Sequence, residues 1–173
     1  MKKQWFAVGI FLVIEQLMKV LIWQFALGKR IHLIPGILRF EPHLNTNLTW
    51  IASMANFVMP IFIMIILQSS LAIGMTLFYR YQRYASVKIN LWLDLSFCFA
   101  LAGIGCSVID VVFWGGSLDY IGLLDWFIFD MKDVFLNTGW ISMVIWFNSR
   151  EYKHRKAEIR PFKLWLSNGC KLV

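Results

Sequence analysis

"FVMPIFIMIILQSSLAIGMTLFY", Phe57 to Tyr79, runs for 23 residues without a charged side chain. A helix needs roughly 20 mostly apolar residues to cross the hydrocarbon core of a bilayer. A helix that is apolar all round has no face to give to water. This stretch therefore sets the class: the chain folds in a membrane. Composition agrees, with 59% hydrophobic and 17% aromatic residues and a mean hydropathy of +0.62, well outside the range of soluble domains.

Three more segments extend the pattern. Trp5–Leu27 is apolar apart from Glu15, Gln16, Lys19 and Gln24, and Leu91–Ile109 carries one acid, Asp94. Val134–Phe147 is too short to cross alone and reaches a spanning length only if its helix begins near Asp130. The expectation is an all-α integral membrane protein, one domain over residues 1–173. Its four spans fall at about 5–27, 57–79, 91–109 and 130–147, followed by a tail at 148–173. The start "MKKQWFAVGIFLVI" also suits a signal peptide, but no small-residue cleavage site follows and the apolar pattern runs on to Leu27.

Lys and Arg orient the bundle, because they concentrate on the cytoplasmic side. Twelve of the seventeen fall at the N-terminus, between the second and third spans, or in the tail. Both termini are thus expected in the cytoplasm. The net charge of +7 reads as an anchor on anionic lipid; no nucleic-acid partner is expected, and a monomer is. Three scattered cysteines and three isolated histidines, without ligand spacing, predict neither a disulfide framework nor a metal site.

The acids are less evenly placed. Asp110, Asp119, Asp125, Asp130 and Asp133 are half of the ten acidic residues. The topology puts Asp110 at the outer end of the third span, Asp119 and Asp125 in the next outer loop, and Asp130 and Asp133 in the first turn of the fourth helix. Two carboxyls sharing a poorly solvated site cannot easily both ionise, so one serves as base and the other as acid. That suits hydrolysis of a peptide bond by an activated water. Helix capping by Asp130 and Asp133 accounts for the same residues equally well, and the residues alone leave both readings open.

The spacing of four motifs resembles signal peptidase II, the bacterial lipoprotein signal peptidase family. "EQLMK" gives Glu15, Gln16 and Lys19, where the family has Asp-Gln-x-x-Lys. "LIPGILRFEPHLNTN" gives Ile34-Pro35-Gly36 and then Asn45, with Asn47 where the family has Gly. "CSVIDVVFWGGSLDY" gives Asp110, Gly115 and Asp119. "FDMKDVFLNTG" gives Phe129, Asp130, Lys132, Asp133 and Gly139, where the family reads Phe-Asn-x-Ala-Asp before its Gly.

That resemblance implies a catalytic pair, Asp119 and Asp133. It implies a supporting shell of Asn45, Asp110 and Asp130, with Gln16 and Lys19 helping to hold the first span. It implies an aspartic endopeptidase that uses no metal or other cofactor and cuts prolipoproteins before a diacylglyceryl-modified Cys. It also implies a small outer β-cradle and a surface amphipathic helix, for which "NLTWIASMANF" is the candidate. Ser107, Val111, Asp130 and Lys132 depart from the family pattern. A protein of the same fold that binds lipoprotein signal peptides without cutting them is the alternative. An ion-coupled transporter ranks third, because the acids gather on one side of the membrane and a relay should cross it.

Overall fold

A computed structural model describes residues 1–46, 60–85, 90–124, 126–149, 165, 167 and 169. Its elements in order are α1 (Lys2–Phe25), β1 (Ile31–Ile34), β2 (Leu38–Asn45), α2 (Ile61–Ala85) and α3 (Leu91–Ile109). A π-helical turn at Asp110–Trp114, β3 (Ser117–Leu123), β4 (Phe127–Phe129) and α4 (Met131–Asn148) follow. The protein is mostly helical, with one small antiparallel sheet ordered β1-β2-β3-β4.

By length and composition α1, α2 and the continuous helical stretch Leu91–Trp114 can each cross a membrane. Their burial separates them: 50% of the last window is buried, against 17% for α1 and 11% for α2. α3 is therefore the central helix. The outward faces are apolar, as with Phe6, Val13 and Leu17 on α1 and Phe62, Ile66 and Ile73 on α2, while Glu15 and Lys19 point inward and are fully buried. A soluble helix does the reverse. α2 starts after Pro60, whose carbonyl accepts from the N–H groups of Ile63 and Met64 at 3.0 and 3.3 Å. A proline is tolerated there because the first helical N–H groups have no partner anyway. The helix lies four residues downstream of the span expected to begin at Phe57.

α3 begins on Asn90, whose side chain accepts from the N–H groups of Trp92 and Leu93, a standard N-cap. It packs closely on both neighbours because glycines face them. A Cβ on Gly105 would lie 2.9 Å from Leu12 of α1, and one on Gly103 would lie 2.6 Å from Leu136 of α4. From the other side, a Cβ on Gly139 would lie 2.7 Å from the Ala100 nitrogen. Phe11, Phe99 and Phe135 fill the seam between the three helices, with ring centroids 5.0 to 5.9 Å apart. At the opposite end Asp94 accepts from Tyr79 and Gln4 at 2.6 and 3.1 Å, which ties α2 and α1 to α3.

The sheet is built by turn chemistry. Pro35 and Gly36 occupy the middle of the β1–β2 turn, Gly36 has φ +73, and the Ile37 N–H donates to the Ile34 carbonyl at 3.0 Å. Proline then glycine is the pairing that a type II turn favours. In the register of β2 with β3, Asn45 lies opposite Ser117 and His43 opposite Asp119. Asp119, expected in the outer loop, is thus in a strand. The proposed surface helix and Asp125 lie outside the described residues.

Candidate active site

Three structural devices aim acids at one place. The first is the π-helical turn that continues α3. An extra residue in the turn shifts the helical phase, a feature frequent at functional sites, and Asp110, at its first position, is buried. Gly115 in the left-handed region, φ 67, then ends the helix, and β3 carries Asp119 back over it. The second is the β2–β3 pairing, which sets Asn45 beside Asp119. The third is the start of α4. Asp130 is its N-cap and accepts from the Asp133 N–H at 3.2 Å, while the Asp130 N–H donates to the Asp133 carboxylate at 3.3 Å. This reciprocal capping box fixes both side chains at the helix entrance.

The helix-capping reading of Asp130 and Asp133 holds. Carboxyl oxygens of Asp119, Asp130 and Asp133 lie within 4.8 Å of one another. Asp119 and Asp130 are buried and Asp133 is half-buried, so the cluster opens on the Asp133 side. Asn45 donates to Asp119 Oδ2 at 3.4 Å, and the Ser117 hydroxyl donates to Asp119 Oδ1.

A second cluster lies directly beneath. Carboxyl oxygens of Glu15, Asp110 and Asp130 also lie within 4.8 Å of one another. Lys19 Nζ sits among them, 2.7 Å from Glu15 and 2.6 Å from Asp130, and in contact with Asp110. Gln16 donates to Asp110 at 3.1 Å and accepts from the Trp114 indole at 3.2 Å. Asp130 belongs to both clusters and joins them. Either trio of carboxylates has the donor set for a hard cation, but a lysine ammonium already lies against each.

Every site residue singled out in the sequence is therefore in one connected network: Asp119, Asp133, Asn45, Asp110, Asp130, Gln16 and Lys19. Three more belong to it. Glu15 is part of the lower cluster. Lys132 is buried, donates to Asp130 at 2.6 Å and to Asp119 at 3.4 Å, and lies 3.5 Å from Asp110. Ser117 accepts from Lys132. An unpaired charge inside a bilayer is costly, and that cost is the signal that marks Glu15 and Lys132 in so apolar a chain. Ser117 carries no comparable signal.

The network holds five carboxyls and two ammoniums, a surplus that favours a proton shared among the acids. Burial pushes the Asp119 carboxyl above its ordinary value. The Lys132 ammonium and the hydrogen bonds from Ser117 and Asn45 oppose that rise, and the Asp130 charge adds to it. Two oxygens no farther than 4.8 Å apart can both reach one water at ~2.8 Å, so one water can bridge Asp119 and Asp133.

Residues 7–148 match the family described as signal peptidase (SPase) II. The chain belongs to the signal peptidase II family. It is 27% identical over 145 residues to the lipoprotein signal peptidase of Microcystis aeruginosa, covering 82% of this chain and 88% of that one. Two solved bacterial membrane enzymes, determined by the in meso method at 2.3 and 1.9 Å, share the fold with TM-scores of 0.67 and 0.71. They are 21% and 20% identical, and the matches cover 84% and 87% of this chain and 87% and 95% of theirs. Signal peptidase II family membership makes the chain a membrane peptidase, and both motif-bearing ends of the site, Gln16 and Gly139, lie inside the matched residues.

Proposed function

We propose that the chain is an aspartic endopeptidase that removes the signal peptide of diacylglyceryl-modified prolipoproteins, cutting before the lipidated Cys. The observation that carries this reading is the approach of Asp119 and Asp133, whose carboxyl oxygens lie within 4.8 Å of each other although one comes from a strand and the other from a helix. The ionised member takes a proton from the bridging water as its oxygen attacks the scissile carbonyl. The protonated member then gives its proton to the leaving amine as the C–N bond breaks. Asn45 and Ser117 hold the Asp119 carboxylate in place, and the Lys19 cluster fixes Asp130 and, through the capping box, Asp133.

In this reading α4 is the fourth span, both termini face the cytoplasm of the inner membrane, and the sheet lies on the outer side. The chain works as a monomer. The test is cleavage of a diacylglyceryl-modified prolipoprotein by the purified protein in lipid or detergent, read as a gel shift. No shift with bound substrate would overturn the proposal in favour of a non-catalytic binder.

A further inference from the structure

Lys132 stands where the family pattern has Ala and Asp130 where it has Asn, yet neither hangs free. Lys132 is 6% exposed and its ammonium touches Asp130, Asp119 and Ser117. A Ser–Lys nucleophile pair is the reading these contacts first suggest. It fails on charge, because a lysine faced by Asp130 at 2.6 Å, Asp119 at 3.4 Å and Asp110 at 3.5 Å keeps its proton and cannot serve as a base.

The contacts are unequal across the acid pair. Asp119 accepts from Ser117 and Lys132 on one oxygen and from Asn45 on the other. Asp133 accepts from the Asp130 backbone N–H. A cation in hydrogen-bonding reach favours the ionised form of a carboxyl far more than a neutral donor does.

We propose that Lys132 is a positioning residue that keeps Asp119 the ionised member of the pair, making Asp119 the base and Asp133 the acid. The assignment rests on the hydrolytic reading above. The charged and titratable groups around Asp119 and its neighbour Asp130 come from four elements: Glu15 and Lys19 on α1, His43 across the β2–β3 ladder, Asp110 in the π-helical turn, and Asp130, Lys132 and Asp133 at the start of α4. Among the lysines, Lys132 reaches Asp119 while Lys19 is bound to Glu15, Asp110 and Asp130. Asp130 anchors Lys132, so the two departures act as a unit.

The test reads Asp119 with and without turnover. In the first arm the pH profile of prolipoprotein cleavage is compared for the wild type, Lys132→Ala, Lys132→Arg and the double variant Asp130→Asn/Lys132→Ala. Losing the cation raises the pH needed to ionise Asp119, so the acid limb of Lys132→Ala moves up by about one to three pH units. Lys132→Arg keeps the wild-type limb. The double variant loses an anion together with the cation, so its limb falls between those of the wild type and Lys132→Ala, and it guards against a misfolded single variant. In the second arm, pH-difference infrared spectroscopy follows the Asp119 carboxyl band in an Asp133→Asn background, assigned by its loss in Asp119→Asn. The band titrates at higher pH without Lys132. An unchanged midpoint, or an acid limb that stays put while only the maximal rate falls, overturns the proposal. A shifted midpoint in a chain that cleaves nothing supports the electrostatic assignment and rejects the peptidase reading.

Discussion

Lys19 Nζ lies 2.6 Å from Asp130 Oδ2, which ties the middle of α1 to the cap of α4. The same ammonium meets Glu15 and Asp110, so one buried cation gathers acids from α1, from the turn after α3 and from α4. The helix that carries the candidate acid Asp133 is therefore held by charge as well as by packing.

Lys19→Met should be the most damaging substitution outside the acid pair. It strips Glu15 of its cation and leaves Asp110 and Asp130 with Lys132 alone, and breaking a buried pair from one side costs ~3–5 kcal/mol. Thermal unfolding in detergent should show a large drop in midpoint, whereas Lys3→Ala, at an exposed position, should show none. A Lys19→Met protein as stable as the wild type would remove the cluster from the account of the fold.

The α3–α4 seam leaves little room. Gly139→Val places a Cβ 2.7 Å from the Ala100 nitrogen, and backbone cannot yield as a side chain does. Overpacking of this kind costs ~1–3 kcal/mol. Gly74→Ala, with nothing within 4 Å, should leave stability unchanged or slightly raised. Equal midpoints for the two variants in the same unfolding experiment would show that the helices can separate freely.

Much of this arrangement is legible in the sequence, for reasons that differ by residue. The spans follow from long apolar runs, although Pro60 marks a later start for α2 than the run itself suggests. The fourteen residues from Asp119 to Asp133 allow their approach, and the family resemblance is what singles them out as a pair. The strand that carries Asp119 is not legible, because Ser117, Leu118, Asp119 and Tyr120 are all buried and show no alternation between a wet and a dry face. β3 is fixed by its pairing with β2, a contact distant in sequence. Lys132 is visible in the sequence as a departure; its partners Ser117 and Asp110 are set by the turn after α3 and become apparent only in three dimensions.

The distribution of bases predicts an orientation that labelling can check. In a Cys170→Ser background, where Cys98 and Cys106 are buried, a cysteine at the exposed Ile34 position should react with a membrane-impermeant maleimide in intact cells. A cysteine at Lys3 should react only after lysis. The opposite pattern would put the acids on the cytoplasmic side.

Asn45→Ala removes the amide 3.4 Å from Asp119 without opening a core cavity, since Asn45 is only half-buried. Turnover should fall about tenfold, equivalent to ~1.4 kcal/mol, the scale of a hydrogen bond to a charged group. The unfolding midpoint should hardly move. An unchanged rate would take Asn45 out of the site.

If Asp119 and Asp133 act as one hydrolytic unit, cleavage of a diacylglyceryl-modified prolipoprotein by the wild type, Asp119→Asn, Asp133→Asn and the double variant across pH shows it. Each single variant should lose activity as completely as the double, because an amide can neither accept the water's proton nor donate one to the leaving amine, and the two losses break the same unit. The wild-type profile should be bell-shaped. Its acid limb should lie above the ordinary aspartate value of about 3.9, because burial raises the Asp119 carboxyl and activity is lost as pH falls through that raised value. Cleavage that survives in either single variant would show that the two aspartates are not the hydrolytic pair.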